Sequence, residues 1–470
     1  MSPSSQPTCL IVGAGAAGLG AALELREAGR SFEVWDAAAR PGGVVGTLER
    51  GAFRFESGPN TVPATAEQVR WLCERLGVGD QLVTSSDRAR SRYLFHKGHL
   101  QAVPLKPPEL LRTRLLSPLG KLALAREPFR SFNFDPGAPE PTVHEFVARR
   151  FGREAADRFA GAFVRGIYAG DAKRLGLRSA FPRLWNLASE HGGVLKGMRA
   201  AAQASEVPAG QRGKLLSLRG GFGTLVHAAR ETLGDALRVN EPVVELGREG
   251  ELWTARSSSG RTASFASVIL ATPALVTASL LEAHEPTIPG ELRSIRTASV
   301  HVLHLGFASR DAIGLPLGFG FLVPPDLGSK GPRMLGTIFA SDLFDDRAPS
   351  GGGVLSMIYG AETLDAAVME QGTSSQDPTS LMAVALEDLR RAGASPPEPT
   401  EFASERWADA LPQYEVGHSA RIDRVLSACD ALPGLTLAGN YLRGIGLDDS
   451  VASGRKAALA GPASPGRPAF

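Results

Sequence analysis

The sequence is poor in cysteine: Cys9, Cys73 and Cys429 are the three in 470 residues, and they lie far apart. They form no CxxC pair and no even set for a disulfide framework. That points to a reducing compartment and to three packed thiols. Long apolar runs are also missing: no stretch reaches about 18 residues, so no helix is expected to span a bilayer. Only Met1 to Thr8 precede the first apolar run, too little for a signal or transit peptide. Charge of neither sign dominates. The formal net charge is +2, which gives no global reason to expect nucleic acid. No His/Cys/Asp/Glu group has metal-ligand spacing. His301 and His304 stand at odd separation in an alternating segment, on opposite faces of a predicted strand, and are read as structural. No Ser/His/Asp or Cys/His nucleophile arrangement is evident, and no general base is assigned. What remains is an ordinary globular composition, 43% hydrophobic and 21% charged, in a chain long enough for two or three domains.

The first informative segment is near the N-terminus. Cys9-Leu10-Ile11-Val12 reads as a short buried strand. The turn Gly13-Ala14-Gly15-Ala16-Ala17-Gly18 follows at once, then a helical pattern that stops at Gly29, then a second strand, Phe32 to Asp36. Gly13 permits the tight turn, Gly15 lets backbone approach a pyrophosphate, and Gly18 lets the helix pack on the strand. The helix N-terminus at Ala16 and Ala17 offers N–H donors and the positive dipole end. Asp36 is placed to accept from the ribose hydroxyls of an adenosine. This is a dinucleotide-binding βαβ unit.

A second glycine turn with a basic head, Arg40-Pro41-Gly42-Gly43-Val44-Val45-Gly46-Thr47, comes just downstream, followed by Gly58-Pro59-Asn60. Here the chain resembles the flavin monooxygenase and amine oxidase superfamily, whose motif continues as R-x-GG-x-x-x-T. The cofactor so implied is FAD, held non-covalently. At the far end, Leu435 to Asn440 reads as a strand ending in a turn at Gly439-Asn440, then come Gly444-Ile445-Gly446-Leu447 and Asp448 to Ser450, then a helical stretch from Val451 to Leu459. A helix N-terminus there suits the pyrimidine end of a flavin; an ordinary loop capped by Asp448 or Asp449 is the plain alternative.

Further stretches narrow the resemblance. Ser91 to Phe95, Arg165 to Asp171 with Ser179 to Pro182, Gly318 to Pro324, Leu335-Gly336-Thr337, and Trp407 with Leu411 to Tyr414 and Gly417-His418 are together similar to the bacterial-type, oxygen-dependent protoporphyrinogen IX oxidases. The likeness runs from Leu10 to about Lys456. It implies an α/β flavoprotein of the two-dinucleotide-binding-domain type. Residues 1–88, 213–273 and 428–470 make the FAD domain, 89–101 and 274–427 a mainly β substrate domain, and 102–212 a helical membrane-associating domain. It also implies that Val243 touches the adenine through its backbone and that Trp407 belongs to the cofactor site. Arg92 pairs with a propionate, Phe319, Leu322 and Leu335 sandwich the macrocycle, and Gly170 contacts it through backbone. Ile358 stands where relatives carry methionine or phenylalanine, Asp36 where glutamate is more usual, and Asp448 where many have asparagine. Without the resemblance Arg92 reads as a surface arginine and the apolar positions as core.

The implied chemistry is the six-electron oxidation of protoporphyrinogen IX by FAD, with molecular oxygen as acceptor and hydrogen peroxide released. Hydride passes from a bridge carbon to flavin N5 and an N–H proton is lost. Coproporphyrinogen III is the alternative substrate; an amine oxidase, a carotenoid desaturase and a non-enzymatic flavin scaffold stand further off. Pro104 to Arg130 mixes leucines with Lys106, Arg112, Arg114, Lys121, Arg126 and Arg130. A basic amphipathic stretch suits an anionic membrane surface, and the resemblance implies a peripheral protein on the cytoplasmic side of a membrane. It leaves room for a homodimer.

Overall fold

The computed structural model describes residues 8–460 apart from 105–106, 131–138, 205–212, 326–330, 371–373 and 375. Lys106 of the basic segment therefore lies outside the described residues.

The strand Cys9–Val12 is wholly buried and apolar, as a central strand covered on both faces must be. It pairs in parallel with Phe32–Trp35 on one side and Ser267–Leu270 on the other. Leu237–Arg238 and Leu435–Leu437 complete a five-stranded parallel sheet. Neighbouring strands thus come from the beginning, middle and end of the chain. Alternation sorts the side chains. Cys9, Ile11, Val34 and Ile269 face a helical core that includes Leu19, Leu72, Leu225 and Val451. Leu10, Val12, Trp35 and Leu270 face a second core built on the antiparallel strands Val243–Glu249, Leu252–Ser257 and Thr262–Phe265.

The region from Ala274, expected to be mainly β, opens with two helices, Ala274–Leu280 and Thr287–Arg293. Ala278, Ile288 and Leu292 join the core around Leu10 and Trp35, so these helices cover the parallel sheet. The last helix also starts earlier than expected, at Leu447 rather than Val451. The Asp449 carboxylate accepts from the Gly446 N–H at 3.1 Å, and two acids in the first turn suit the dipole.

A seven-stranded sheet forms the second body, in the order Glu401–Pro412, Thr297–Phe307, Gly353–Gly360, Gly336–Phe339, Gly320–Leu322, Arg92–His96 and His99–Ala102. All pairings are antiparallel except Gly320–Leu322 with Arg92–His96. One face carries Phe321, Phe339, Met357, Tyr359 and Leu303 into a core with the helices Ala361–Met369 and Pro378–Arg391. His301 and His304 do fall on opposite faces of Thr297–Phe307. His304 stacks on Phe55 with centroids 5.2 Å apart and hydrogen-bonds Ser356 Oγ at 3.0 Å. Helices between Pro107 and Ala204 make a third layer with its own core around Phe146, Val164, Tyr168 and Leu175.

Candidate functional site

The dinucleotide turn is shaped by what a side chain would meet. At Gly13 (φ +100°) a Cβ would lie 2.7 Å from the Ala271 carbonyl oxygen, and at Gly18 one would lie 1.8 Å from that of Gly13. At Gly15 nothing stands within 4 Å. Turn and helix are therefore jammed together, while the Gly15 side of the turn is open. Gly15 is the extended residue that begins helix Ala16–Glu27. No side chain caps that helix and its first turn holds no acid, so the N–H groups of Ala16 and Ala17 are left for an anion. Asp36 ends the next strand; its carboxylate accepts from the Ala14 N–H and, at 2.7 Å, from Ala38 N–H. Glu241 N–H bonds the Asp36 carbonyl at 2.8 Å, which sets Val243 two residues beyond.

The second glycine turn lies across the first: Gly42 N–H donates to Ala14 O at 2.7 Å, and a Cβ on Gly43 would sit 3.3 Å from the Gly15 Cα. Arg40 spends Nη1 on the Val45 carbonyl (2.8 Å). It thus braces its own turn, a role sequence reasoning missed. Ser57 Oγ holds the Val44 carbonyl at 2.9 Å, and Gly58 leaves no room for a Cβ, which would lie 2.4 Å from the same oxygen. Pro59 joins this turn to Asn60, whose buried Oδ1 has no partner among the described residues. Trp407, from the seven-stranded sheet, donates to the Ser57 carbonyl at 2.7 Å.

The C-terminal segment closes on the same place. Helix Leu447–Ala460 runs against Ala16–Glu27 so tightly that a Cβ on Gly454 would lie 1.8 Å from Ala17 O, and one on Gly20 2.6 Å from Val451 O. Leu447 joins Ala14 and Ala17 in one core, while Ile445 packs on the core of the helical layer. Gly439 (φ +147°) donates to Ser453 Oγ, and Asn440 Nδ2 reaches Ala410 O at 3.1 Å. Asp448 accepts from Val69 N–H at 2.8 Å, capping a neighbouring helix rather than its own. An open cradle at Gly15, an uncapped helix end, an orphaned Asn60 oxygen and an acid after the second strand fit FAD. Gly13 to Gly18, Asp36, Gly42, Gly43, Gly58 to Asn60 and Ile445 to Leu447 could hold it.

The opposite face of the seven-stranded sheet adjoins this cradle. Register places Arg92, Leu94, Leu322, Ile338, Ile358, Val302, Glu405 and Trp407 on it. Arg92, Leu322 and Ile358 are half-buried, whereas Phe321, Met357 and Tyr359 on the other face are buried. Phe319 N–H bonds Ser91 O at 2.8 Å, and its ring lies 5.3 Å from the Arg92 guanidinium carbon. Leu335 is buried just before its strand, its N–H on Ile358 O at 2.7 Å. Helix Gly161–Tyr168 roofs one end: a Cβ on Gly166 would strike Leu322 Cδ2 at 2.4 Å. Beyond it, Ala169 is left-handed (φ +48°), and Gly170 lies against Gln413, whose Nε2 holds Tyr168 O at 2.7 Å. Gln413 is a positioning residue that the sequence motif contained but did not single out.

The electrostatics of this face are simple. Arg92 has no hydrogen-bond or ion-pair partner among the described residues, and burial holds its guanidinium below the usual arginine range. Burial also raises the Glu405 carboxyl, against the pull of Arg40 and Arg50. Below the cofactor turn, Glu56 is buried with Arg347 at 3.1 Å and accepts from Thr47 Oγ1 and Phe222 N–H; burial pushes it up to about 7. No local pattern signals this pair, because its partners lie 291 residues apart.

Comparison with known proteins agrees with this geometry. The model of the flavin containing amine oxidoreductase family matches residues 16–460. The chain is 30% identical to a protoporphyrinogen oxidase of Macaca fascicularis, covering 96% of this chain and 98% of that one. It is 26% identical to a coproporphyrinogen III oxidase of Bacillus subtilis, over 95% and 96%. A crystal structure of a candidate protoporphyrinogen oxidase from Exiguobacterium sp. 255-15 superposes with a TM-score of 0.82 at 25% identity, covering 97% and 99%. The chain belongs to the flavin-containing amine oxidoreductases, as an FAD-dependent oxidase akin to the protoporphyrinogen oxidases.

Proposed function

We propose that the protein oxidises protoporphyrinogen IX to protoporphyrin IX in tetrapyrrole biosynthesis. Six electrons and six protons leave the substrate, and three molecules of oxygen become three of hydrogen peroxide. FAD, when bound, supplies the two-electron acceptor. The chain's own residues bind and orient. Arg92 pairs a propionate, Leu322, Phe319 and Ile358 press on the macrocycle, and helix Gly161–Tyr168 with Gly170 screens water from that end.

The observation that carries this reading is Arg92: a half-buried guanidinium with no hydrogen-bond or ion-pair partner among the described residues, amid Leu94, Leu322, Ile338 and Ile358. A desolvated cation requires an anion, and a propionate provides a planar carboxylate for its fork. An amine substrate would set a second cation beside it. Coproporphyrinogen III brings two further propionates, which this apolar surrounding does not pair. Steady-state oxidation of both porphyrinogens with oxygen as acceptor is the test; equal or better use of coproporphyrinogen III reverses the assignment. Acid precipitation checks the non-covalent link, with FAD expected in the supernatant.

The same reading includes peripheral attachment to the cytoplasmic side of an anionic membrane. No described helix is long and apolar enough to cross one. The helical layer instead exposes Leu119, Leu122, Leu195, Met198 and Phe129, the last 88% exposed, beside the exposed Arg112, Arg114, Arg126, Lys196 and Arg199. Phe129 is held at its tip from beneath. Buried Glu127 takes Arg150 Nε at 3.2 Å and the Val194 N–H at 2.9 Å. Phe129→Ser with Leu119→Ser should weaken flotation with anionic vesicles; unchanged flotation counts against the attachment.

A further inference from the structure

The buried Glu56–Arg347 pair is not used by the oxidation described above. Glu56 ends strand Phe53–Glu56 and leads directly into the cofactor turn at 57–60. Both of its carboxylate oxygens are engaged. One takes Arg347 Nη2 at 3.1 Å, the other takes Thr47 Oγ1 at 3.0 Å, and the Phe222 N–H reaches each at 3.2 Å. Thr47 Oγ1 in turn accepts from the Gly223 N–H at 2.8 Å. Glu56 and Thr47 thus hold the start of helix Gly223–Leu233, whose dipole favours a negative charge there. Arg347 donates further to Ser217 Oγ at 2.6 Å, to Leu218 O at 3.2 Å and to the Asp346 carboxylate, which accepts from the Gly220 N–H at 2.6 Å. Arg347 sits on the link between strands Gly336–Phe339 and Gly353–Gly360. Those strands pair Gly336 with Ile358 and carry Ile338 and Ile358 on the apolar face. One salt bridge therefore joins the cofactor turn, a helix of the parallel-sheet body and the sheet that bears the substrate face. Ser57 passes the anchorage on: its N–H bonds Gly46 O at 2.9 Å, its Oγ holds Val44 O, and its carbonyl takes Trp407 Nε1.

A buried ion pair adds little net stability, because desolvation offsets its attraction, and apolar side chains of equal volume would hold a fold as well. What it adds is direction, through charged hydrogen bonds of fixed geometry. We infer that Glu56 and Arg347 are positioning residues: they set the turn at 57–60, and the flavin it holds, in register with the substrate face of the seven-stranded sheet. Hydride transfer is sensitive to that register, since a misplacement of about 1 Å costs on the order of a hundredfold in rate. The effect on turnover rests on the porphyrinogen reading above; the hold on the flavin does not.

The test compares FAD-loaded wild type with Glu56→Gln, which removes the charge but keeps the shape, and Arg347→Lys, which keeps the charge but not the fork. Asp388→Asn is the control: it breaks a buried pair with Arg333, at 2.9 Å, on the helix-covered side of the same sheet. The readouts are the visible absorption and circular dichroism of the bound flavin, the rate of FAD loss on dilution, the melting temperature, and kcat and KM for protoporphyrinogen IX. Glu56→Gln and Arg347→Lys should show a displaced flavin band, lose FAD roughly tenfold faster or more, and fall roughly tenfold or more in kcat with KM little changed. Asp388→Asn should melt at a lower temperature yet keep the wild-type flavin spectrum, FAD retention and kcat. Should Glu56→Gln not fold, Arg347→Lys decides on the same readouts. If wild type does not oxidise protoporphyrinogen IX, the substrate reading fails, and the flavin spectrum and FAD loss still decide for or against the positioning role. Wild-type flavin spectrum and FAD retention in Glu56→Gln and Arg347→Lys overturn the inference, and so does an equal loss of flavin from Asp388→Asn.

Discussion

At the scale of single residues, glycines and charges carry the account, and they were legible to different degrees. Gly13, Gly15 and Gly18 could be read from the chain because a tight turn and a close helix contact are local demands. The structure adds a contrast between two of them. Gly18→Ala places a methyl against Gly13 O, where 1.8 Å is available, and should leave little folded protein. Gly15→Val extends into open space, so the protein should stay folded but purify colourless. Far-ultraviolet circular dichroism and flavin content measured together decide this; a yellow Gly15→Val protein would move the pyrophosphate elsewhere. Arg92 was legible only through resemblance, since nothing local distinguishes it from a strand-edge arginine. Its partial burial without a hydrogen-bond or ion-pair partner among the described residues is a tertiary fact. Arg92→Ala should cost about 1.5–3 kcal/mol of substrate binding, seen in KM, with flavin content unchanged. Glu56, Arg347 and Gln413 were not legible as a group, because each works through partners far away in sequence.

At the scale of elements, the βαβ unit was readable because a buried strand and a 3.6-residue pattern are strong periodic signals. The two helices after Ala274 were not. At 7 residues each they are too short for periodicity to compete with the strand pattern that follows. The contact between the first and last helices was equally hidden, since a small-residue seam shows only when both partners are known. Gly454→Ala tests it. With 1.8 Å between its methyl and Ala17 O, the last helix must move away, and Ile445 to Leu447 with it. We expect a loss of stability of about 1–3 kcal/mol or more and markedly weaker FAD retention on dialysis. A variant with wild-type melting temperature and flavin content would remove that helix pair from the cofactor site.

At the scale of the whole molecule, a parallel sheet, a mixed sheet and a helical layer meet around one cradle and one apolar face. Buried titratable groups tie their stability to pH. Burial lowers His304 to about 3 and His418 to about 4, from 6.5. Between pH 6.5 and about 4 the unfolded chain binds these two protons and the folded one does not. Stability should therefore fall on acidification through that window, by about 1.4 kcal/mol per pH unit for each histidine. Chemical denaturation of wild type and His304→Gln checks this: the variant should show a shallower slope, and identical slopes would mean that His304 is protonated in the folded state. The combined function of sheet, cradle and Arg92 is tested most directly by kcat/KM for protoporphyrinogen IX and coproporphyrinogen III, with oxygen as acceptor, for wild type and Arg92→Ala. The account predicts preference for protoporphyrinogen IX, hydrogen peroxide at three per porphyrin formed, and a KM raised by roughly tenfold or more in the variant. Preference for coproporphyrinogen III, or an Arg92→Ala enzyme with wild-type KM, would contradict it.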